Sequence, residues 1–125
     1  MFVDGFVIPV PEDRLDDYRK VAEIGRDLWM EYGALAYMEA VAEDVPEGQT
    51  TDFYRAIKRE PGETVVFPYI LYRSREHRDT VIAKVMADPR LPKDMAAMPF
   101  DGKRMIFGGF RGIVGAGPIE AGDTR

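Results

Sequence analysis

The sequence predicts an α+β fold in which strands and helices follow one another as β-α-β-β-α-β. Three observations carry this. Residues 2–10, 35–43, 64–72 and 103–110 are rich in β-branched, aromatic and alternating apolar side chains, while residues 12–32 and 75–87 carry apolar residues at spacings of three and four. Gly33, Pro61-Gly62, Asp88-Pro89 and Pro99 to Gly102 supply stops and turns between these segments. Finally, the first, third and last strands are apolar on both faces, although two helices can cover only one face of such a sheet. This pattern is that of a ferredoxin-like βαββαβ unit, an antiparallel sheet with its helices on one face. The uncovered apolar face predicts a homodimer in which two sheets pack into a dimeric α/β barrel.

Each element has its own justification. In residues 2–10, Phe2, Asp4, Phe6 and Ile8 fall on one face and Val3, Gly5 and Val7 on the other. Pro11 suits a first helical turn, Glu12 and Asp13 suit the positive end of the helix dipole, and Gly33 suits the stop. Between them Leu15, Tyr18, Ala22, Gly25, Trp29 and Tyr32 make one stripe. A glycine in mid-helix costs about 1 kcal/mol relative to alanine. Gly25 is therefore expected where the helix backbone approaches the sheet most closely.

Residues 35–43 form the second expected strand. Ala36, Met38, Ala40 and Ala42 make a small-residue face suited to a close helix, with Tyr37, Glu39 and Val41 on the opposite side. Residues 44–51, with Pro46 and Gly48, read as a loop, and Asp52 as the cap of a helical turn that points Phe53 and Ile57 inward. Pro68 interrupts the third strand, where a bulge is expected because proline cannot donate to a ladder. Ser74 caps the second helix, which buries Val81, Ile82, Val85 and Met86. A short helical piece lies within residues 90–98, and the last strand is expected over 103–110. One domain over residues 1–112 follows, with a flexible tail over 113–125.

Composition excludes several function classes. Twenty-two acidic residues against 17 basic ones give a net charge of −5, with no basic stripe, which disfavours nucleic-acid and anionic-membrane partners. Cysteine is absent, which removes disulfides, thiolate catalysis and thiolate-held metals. One histidine, His77, cannot build a multi-histidine metal site. The first residues lack the positive region of a signal peptide, and no apolar run approaches the roughly 18 residues of a membrane span. A cytoplasmic protein without cofactor, metal, nucleic-acid or membrane partner is expected.

The residues also carry a resemblance. Val3-Asp4-Gly5-Phe6-Val7, Asp44-Val45-Pro46-Glu47-Gly48, Thr51-Asp52-Phe53, Gly62-Glu63-Thr64-Val65-Val66-Phe67, Met86-Ala87-Asp88-Pro89-Arg90 and the run MPFDGKRMIFGGF over 98–110 keep their order and spacing. Together they resemble the YbaA-like family, small uncharacterised bacterial proteins of the dimeric α/β-barrel superfamily. The resemblance implies a ferredoxin-like fold, a homodimer and a bacterial cytoplasmic origin, and no established activity.

Candidate binding residues follow from position. Asp4, Tyr37 and Glu39 sit among apolar strand residues, where a carboxylate needs a partner or solvent. If those faces turn inward, two carboxylates approach one cavity and burial raises a pKa towards acid–base use. Otherwise each pairs with Arg104, Lys103 or a backbone amide at the dimer seam. Asp101 and Arg104, around Gly102-Lys103, are placed to clamp an anion, or else Asp-Gly is a plain turn with glycine at positive φ. Tyr54 and Arg55 are placed to close over a carboxylate-bearing ligand, or else Arg55 pairs with Glu47 or Asp52. Gly108-Gly109 admits a ligand, a bulge or a strand crossing. His77, among charged neighbours, reads as a solvated surface residue, and Met86, Met95, Met98 and Met105 as core filler.

Three functions fit. The first is a homodimer that binds a small apolar or phenolic molecule, extending to a cofactor-independent oxygenase or isomerase. The second is a non-catalytic binding or regulatory module. The third, a haem or metal protein, has only His77 to offer.

Overall fold

The computed structural model describes residues 1–117 and contains an open five-stranded antiparallel sheet with three α-helices. Strand β1 (Phe2–Pro11) leads through a 3-10 turn, Glu12–Arg14, into helix α1 (Leu15–Glu31). Strand β2 (Ala36–Met38), helix α2 (Phe53–Ala56), strand β3 (Glu63–Val66) and strand β4 (Tyr69–Tyr72) follow. Helix α3 (Arg75–Ala87), a 3-10 turn at Met95–Ala97 and strand β5 (Ile106–Arg111) complete the described chain. The expected tail begins at 113; beyond residue 117 it lies outside the described residues.

Strand β1 is the centre of the sheet. It pairs with β5 along one edge, from Phe2↔Arg111 to Val7↔Ile106, and with β4 and then β3 along the other. Strand β2 lies outside β4. Beyond the paired strands, the N–H of Gly112 donates to the carbonyl of Met1 at 2.9 Å.

The bulge expected at Pro68 is not formed. Val66 pairs with Ile8 and Tyr69 with Gly5, so three steps on one strand match three on the other and no residue is inserted. The carbonyl of Pro68 accepts from Phe6 N–H at 3.0 Å, and only the reciprocal bond is missing. One absent donor therefore divides the expected third strand into β3 and β4 without shifting its register. Residues 35–43 likewise pair over most of their length. Ala36–Met38 face β4, Val41 bridges Val66, and Ala42 N–H donates to the Val65 carbonyl at 2.9 Å.

Helices α1 and α3 pack on each other and on one face of the sheet. Ser74 and Asp52 cap α3 and α2 through side-chain oxygens that accept from His77 N–H and Arg55 N–H. Gly33, at φ +109°, ends α1 as expected. Two expectations are corrected. The helices cover the Tyr37 and Glu39 side of residues 35–43 rather than the alanine side, and the Tyr37 hydroxyl reaches the backbone of α1 at Gly25. Phe53 is not inward: it is 45% exposed and packs edge-on against Phe67, while Ile57 is buried.

The core is in two parts. Leu28, Ile70, Tyr72, Val81 and Val85 form one, and Ile8, Val10, Tyr18 and Val66 form the other, with Phe6 packed against both. On the opposite face of the sheet, Val3, Val7, Phe67, Tyr69, Ile106 and Phe110 line an almost wholly apolar surface. Phe110 is 60% exposed, its ring lying over Gly5 and Gly108.

Candidate functional site

A pocket of about 400 Å³ occupies the seam between the two core clusters, beneath α1 and α3. It unites three of the expected site residues, Asp4, Tyr37 and Glu39. Strand alternation explains this. Asp4 lies opposite Ile70, and Ile70 opposite Tyr37, so all three point to the helix-covered face, and Glu39 follows two residues after Tyr37.

Asp4 is buried, and its Oδ1 accepts from Arg78 Nη1 at 2.8 Å. The Tyr72 hydroxyl also bonds it, and Trp29 Nε1 donates to that hydroxyl at 3.0 Å. Burial nevertheless holds the Asp4 carboxyl above the usual carboxylate range, against the opposing pull of Arg78 and Tyr72. The Arg78 guanidinium lies over the Phe2 ring, 4.9 Å from its centroid. Gly109 makes this arrangement possible, since a Cβ there would fall 2.5 Å from the Phe2 ring and 3.2 Å from Asp4 Oδ1. Gly108-Gly109 is thus neither bulge nor crossing; both residues sit in regular register with β1.

Glu39 is answered differently. Tyr18 and Tyr37 each donate a hydroxyl hydrogen to one of its carboxylate oxygens, both at 2.7 Å. Burial raises the Glu39 pKa, and the two tyrosine bonds oppose that rise. The same burial, together with the Glu39 charge, pushes both phenols far above their ordinary values. Gly25 completes the geometry: a Cβ would stand 3.0 Å from the Tyr37 hydroxyl oxygen. The helix–sheet approach expected at Gly25 is real, and its consequence is that Tyr37 can reach Glu39.

The alternative partners expected for these carboxylates are corrected. Neither Arg104 nor Lys103 meets Asp4 or Glu39. Arg104 instead grips Glu63 with two bonds of 2.7 Å, donates to Asp101 at 2.9 Å and to the Lys58 carbonyl at 3.1 Å. Asp101 and Arg104 therefore pin the loop before β5 to the start of β3 and do not border the pocket. Gly102 is not at positive φ; the Asp101 side chain accepts from Lys103 N–H at 2.9 Å. Tyr54 and Arg55 also lie away from the pocket. Arg55 pairs with Asp52 at 3.5 Å and donates to the Gln49 carbonyl, and Arg59 stacks over the Tyr54 ring.

His77 is not the solvated residue expected. Its Nδ1 accepts from Arg73 N–H at 3.0 Å, its ring stands edge-on to Tyr72, and burial lowers its pKa. Three pocket residues, Tyr18, Trp29 and Arg78, are absent from the expected site. Each carried a readable signal. A buried tyrosine or tryptophan on an apolar stripe needs a hydrogen-bond partner. Arg78 precedes Val81, Ile82 and Val85 at helical spacing and so falls on the buried stripe of α3. No cluster of potential metal ligands occurs among the described residues.

Fold and pocket together define an α+β protein with an aromatic-walled cavity holding two carboxylates of elevated pKa. The family model described as "Protein of unknown function (DUF1428)" matches residues 1–102, and the chain belongs to that family. It is similar to "Uncharacterized protein YbaA" of Escherichia coli (strain K12), of Escherichia coli O157:H7 and of Shigella flexneri. Each is 50% identical over 113 residues, covering 90% of this chain and 97% of the relative.

Proposed function

We propose that the protein is a homodimer that binds a small, mainly apolar molecule in the pocket beneath α1 and α3. The carrying observation is the pocket itself, where hydrocarbon and aromatic walls surround the polar groups of Asp4, Arg78 and Glu39. The order β2–β4/β3–β1–β5, with helices on one face, supports reading the sheet as ferredoxin-like. The apolar surface around Phe67, Ile106 and Phe110 is where the second copy packs, joining two sheets into an α/β barrel. Asp4 and Glu39, both raised by burial, suit proton transfer in a cofactor-independent isomerase or oxygenase. The competing reading is a non-catalytic binding module of the same fold.

A thermal-shift screen against small phenols, hydroxy acids, amines and quinones tests the binding. A ligand at 100 times its dissociation constant adds about 2.7 kcal/mol, a rise on the order of 10 °C for a domain of this size. No rise across the panel would remove the small-molecule reading. Turnover lost in Asp4→Asn or Glu39→Gln while binding persists would separate enzyme from module.

A further inference from the structure

Among the described residues, the buried and half-buried carboxylates follow a rule that one member breaks. Asp4 pairs with Arg78 at 2.8 Å, Glu63 with Arg104 at 2.7 Å, Asp88 with Arg90 at 2.8 Å and Asp52 with Arg55 at 3.5 Å. Glu39 makes no ion pair among the described residues; both its oxygens are held by neutral phenols. Of the charged residues bordering the pocket, Asp4 and Arg78 cancel, and the Glu39 charge is left over.

Hydrogen-bond direction adds to this. The Tyr18 and Tyr37 hydroxyls spend their protons on Glu39 and turn only lone pairs towards the cavity. Trp29 Nε1 is committed to Tyr72, and Arg78, which donates through Nη1 to Asp4 and through Nε to Asp79, keeps its remaining N–H groups at the Asp4 end of the pocket rather than on Glu39. Around Glu39 the pocket therefore offers acceptors and wants donors. Its walls include the rings of Phe6, Trp29, Phe100 and Phe107, whose faces attract a cation.

Resting on the proposed pocket, we infer that its ligand is an organic cation, a small aromatic or alkyl amine whose ammonium group supplies the missing partner of Glu39. The ammonium carries several donors and no acceptor, and the hydrocarbon part occupies the aromatic walls. A carboxylate-bearing ligand is disfavoured by the same surplus charge.

Trp29 is the sole tryptophan and borders the pocket, so its fluorescence reports occupancy directly. The full chain is titrated with three shape-matched probes: 2-phenylethylamine, 4-ethylphenol and 3-phenylpropionate. The expected ranking is amine tighter than phenol by about tenfold or more, with the acid weakest. Glu39→Gln, which is nearly isosteric, should abolish the amine preference, costing the amine about tenfold or more and the phenol less. Equal affinity for amine and phenol, or an amine preference that survives Glu39→Gln, overturns the cation inference while leaving the pocket reading intact. If Glu39→Gln does not fold, the ranking on the unaltered chain decides. A Trp29 signal unmoved by any probe up to about 10 mM overturns the pocket reading and the inference together.

Discussion

At the residue scale, two small sets of carboxylates have opposite effects on stability. Burial raises Asp4 and Glu39, whereas arginine contacts lower Glu63 and Asp101, and Arg90 with Tyr32 lowers Asp88. A raised group binds protons more readily folded than unfolded. Its contribution is present below the ordinary carboxylate pKa of about 4 and disappears as pH rises through the raised value. The lowered groups contribute above that ordinary value and lose their contribution as pH falls through the depressed one. Glu39→Gln, which mimics the protonated form, should therefore raise Tm at pH 7, by an amount that shrinks as the medium is taken to about pH 4. Calorimetry across that interval checks it; a lower Tm at pH 7 would contradict the assignment. Arg104→Ala has the opposite character. It strands Glu63, whose side chain is 9% exposed, and should cost about 3 kcal/mol, with a Tm loss on the order of 10 °C.

At the element scale, Gly25 links helix geometry to the site. Alanine there should gain about 1 kcal/mol of helix propensity, yet its Cβ crowds the Tyr37 hydroxyl oxygen. Gly25→Ala is thus expected to keep or raise Tm while weakening 2-phenylethylamine binding several-fold, a separation that titration and melting together measure. The alternation of β1 was enough to put Asp4 with Phe6, and that of residues 35–43 enough to put Tyr37 with Glu39. What alternation cannot tell is which face the helices take. The alanines of residues 35–43 pointed the wrong way because closeness was achieved on the helix side, at Gly25, rather than on the strand side. Arg78 was obscured by its charged neighbours, although its spacing from Val81 and Val85 placed it on the buried stripe. Pro68 was legible as an interruption but not as one that keeps register, since a single missing donor is cheaper than an inserted residue when Phe6 still has the Pro68 carbonyl.

At the scale of the whole molecule, the uncovered sheet face is the largest expectation still to be tested. The Phe110 ring lies on this face, over Gly5 and Gly108. If two copies share this face, Phe110→Asp should convert a particle of twice the chain mass into a single chain in sedimentation velocity, with little change in far-UV circular dichroism. An unaltered protein that already sediments as a single chain at micromolar concentration would refute the dimer.

The position of β1 has a kinetic consequence. Its neighbours come from residues 63–72 and 106–111, so the strand translated first has its hydrogen bonds completed last. On the ribosome it emerges as an apolar ribbon whose first edge stays unpaired until residues 63–72 follow and whose second edge waits for residues 106–111. Pairing so distant along the chain slows folding through the entropy of closing large loops. A nascent chain arrested before Ile106 should therefore be sensitive to protease and attractive to chaperones, and release of β5 from the exit tunnel should end both conditions together.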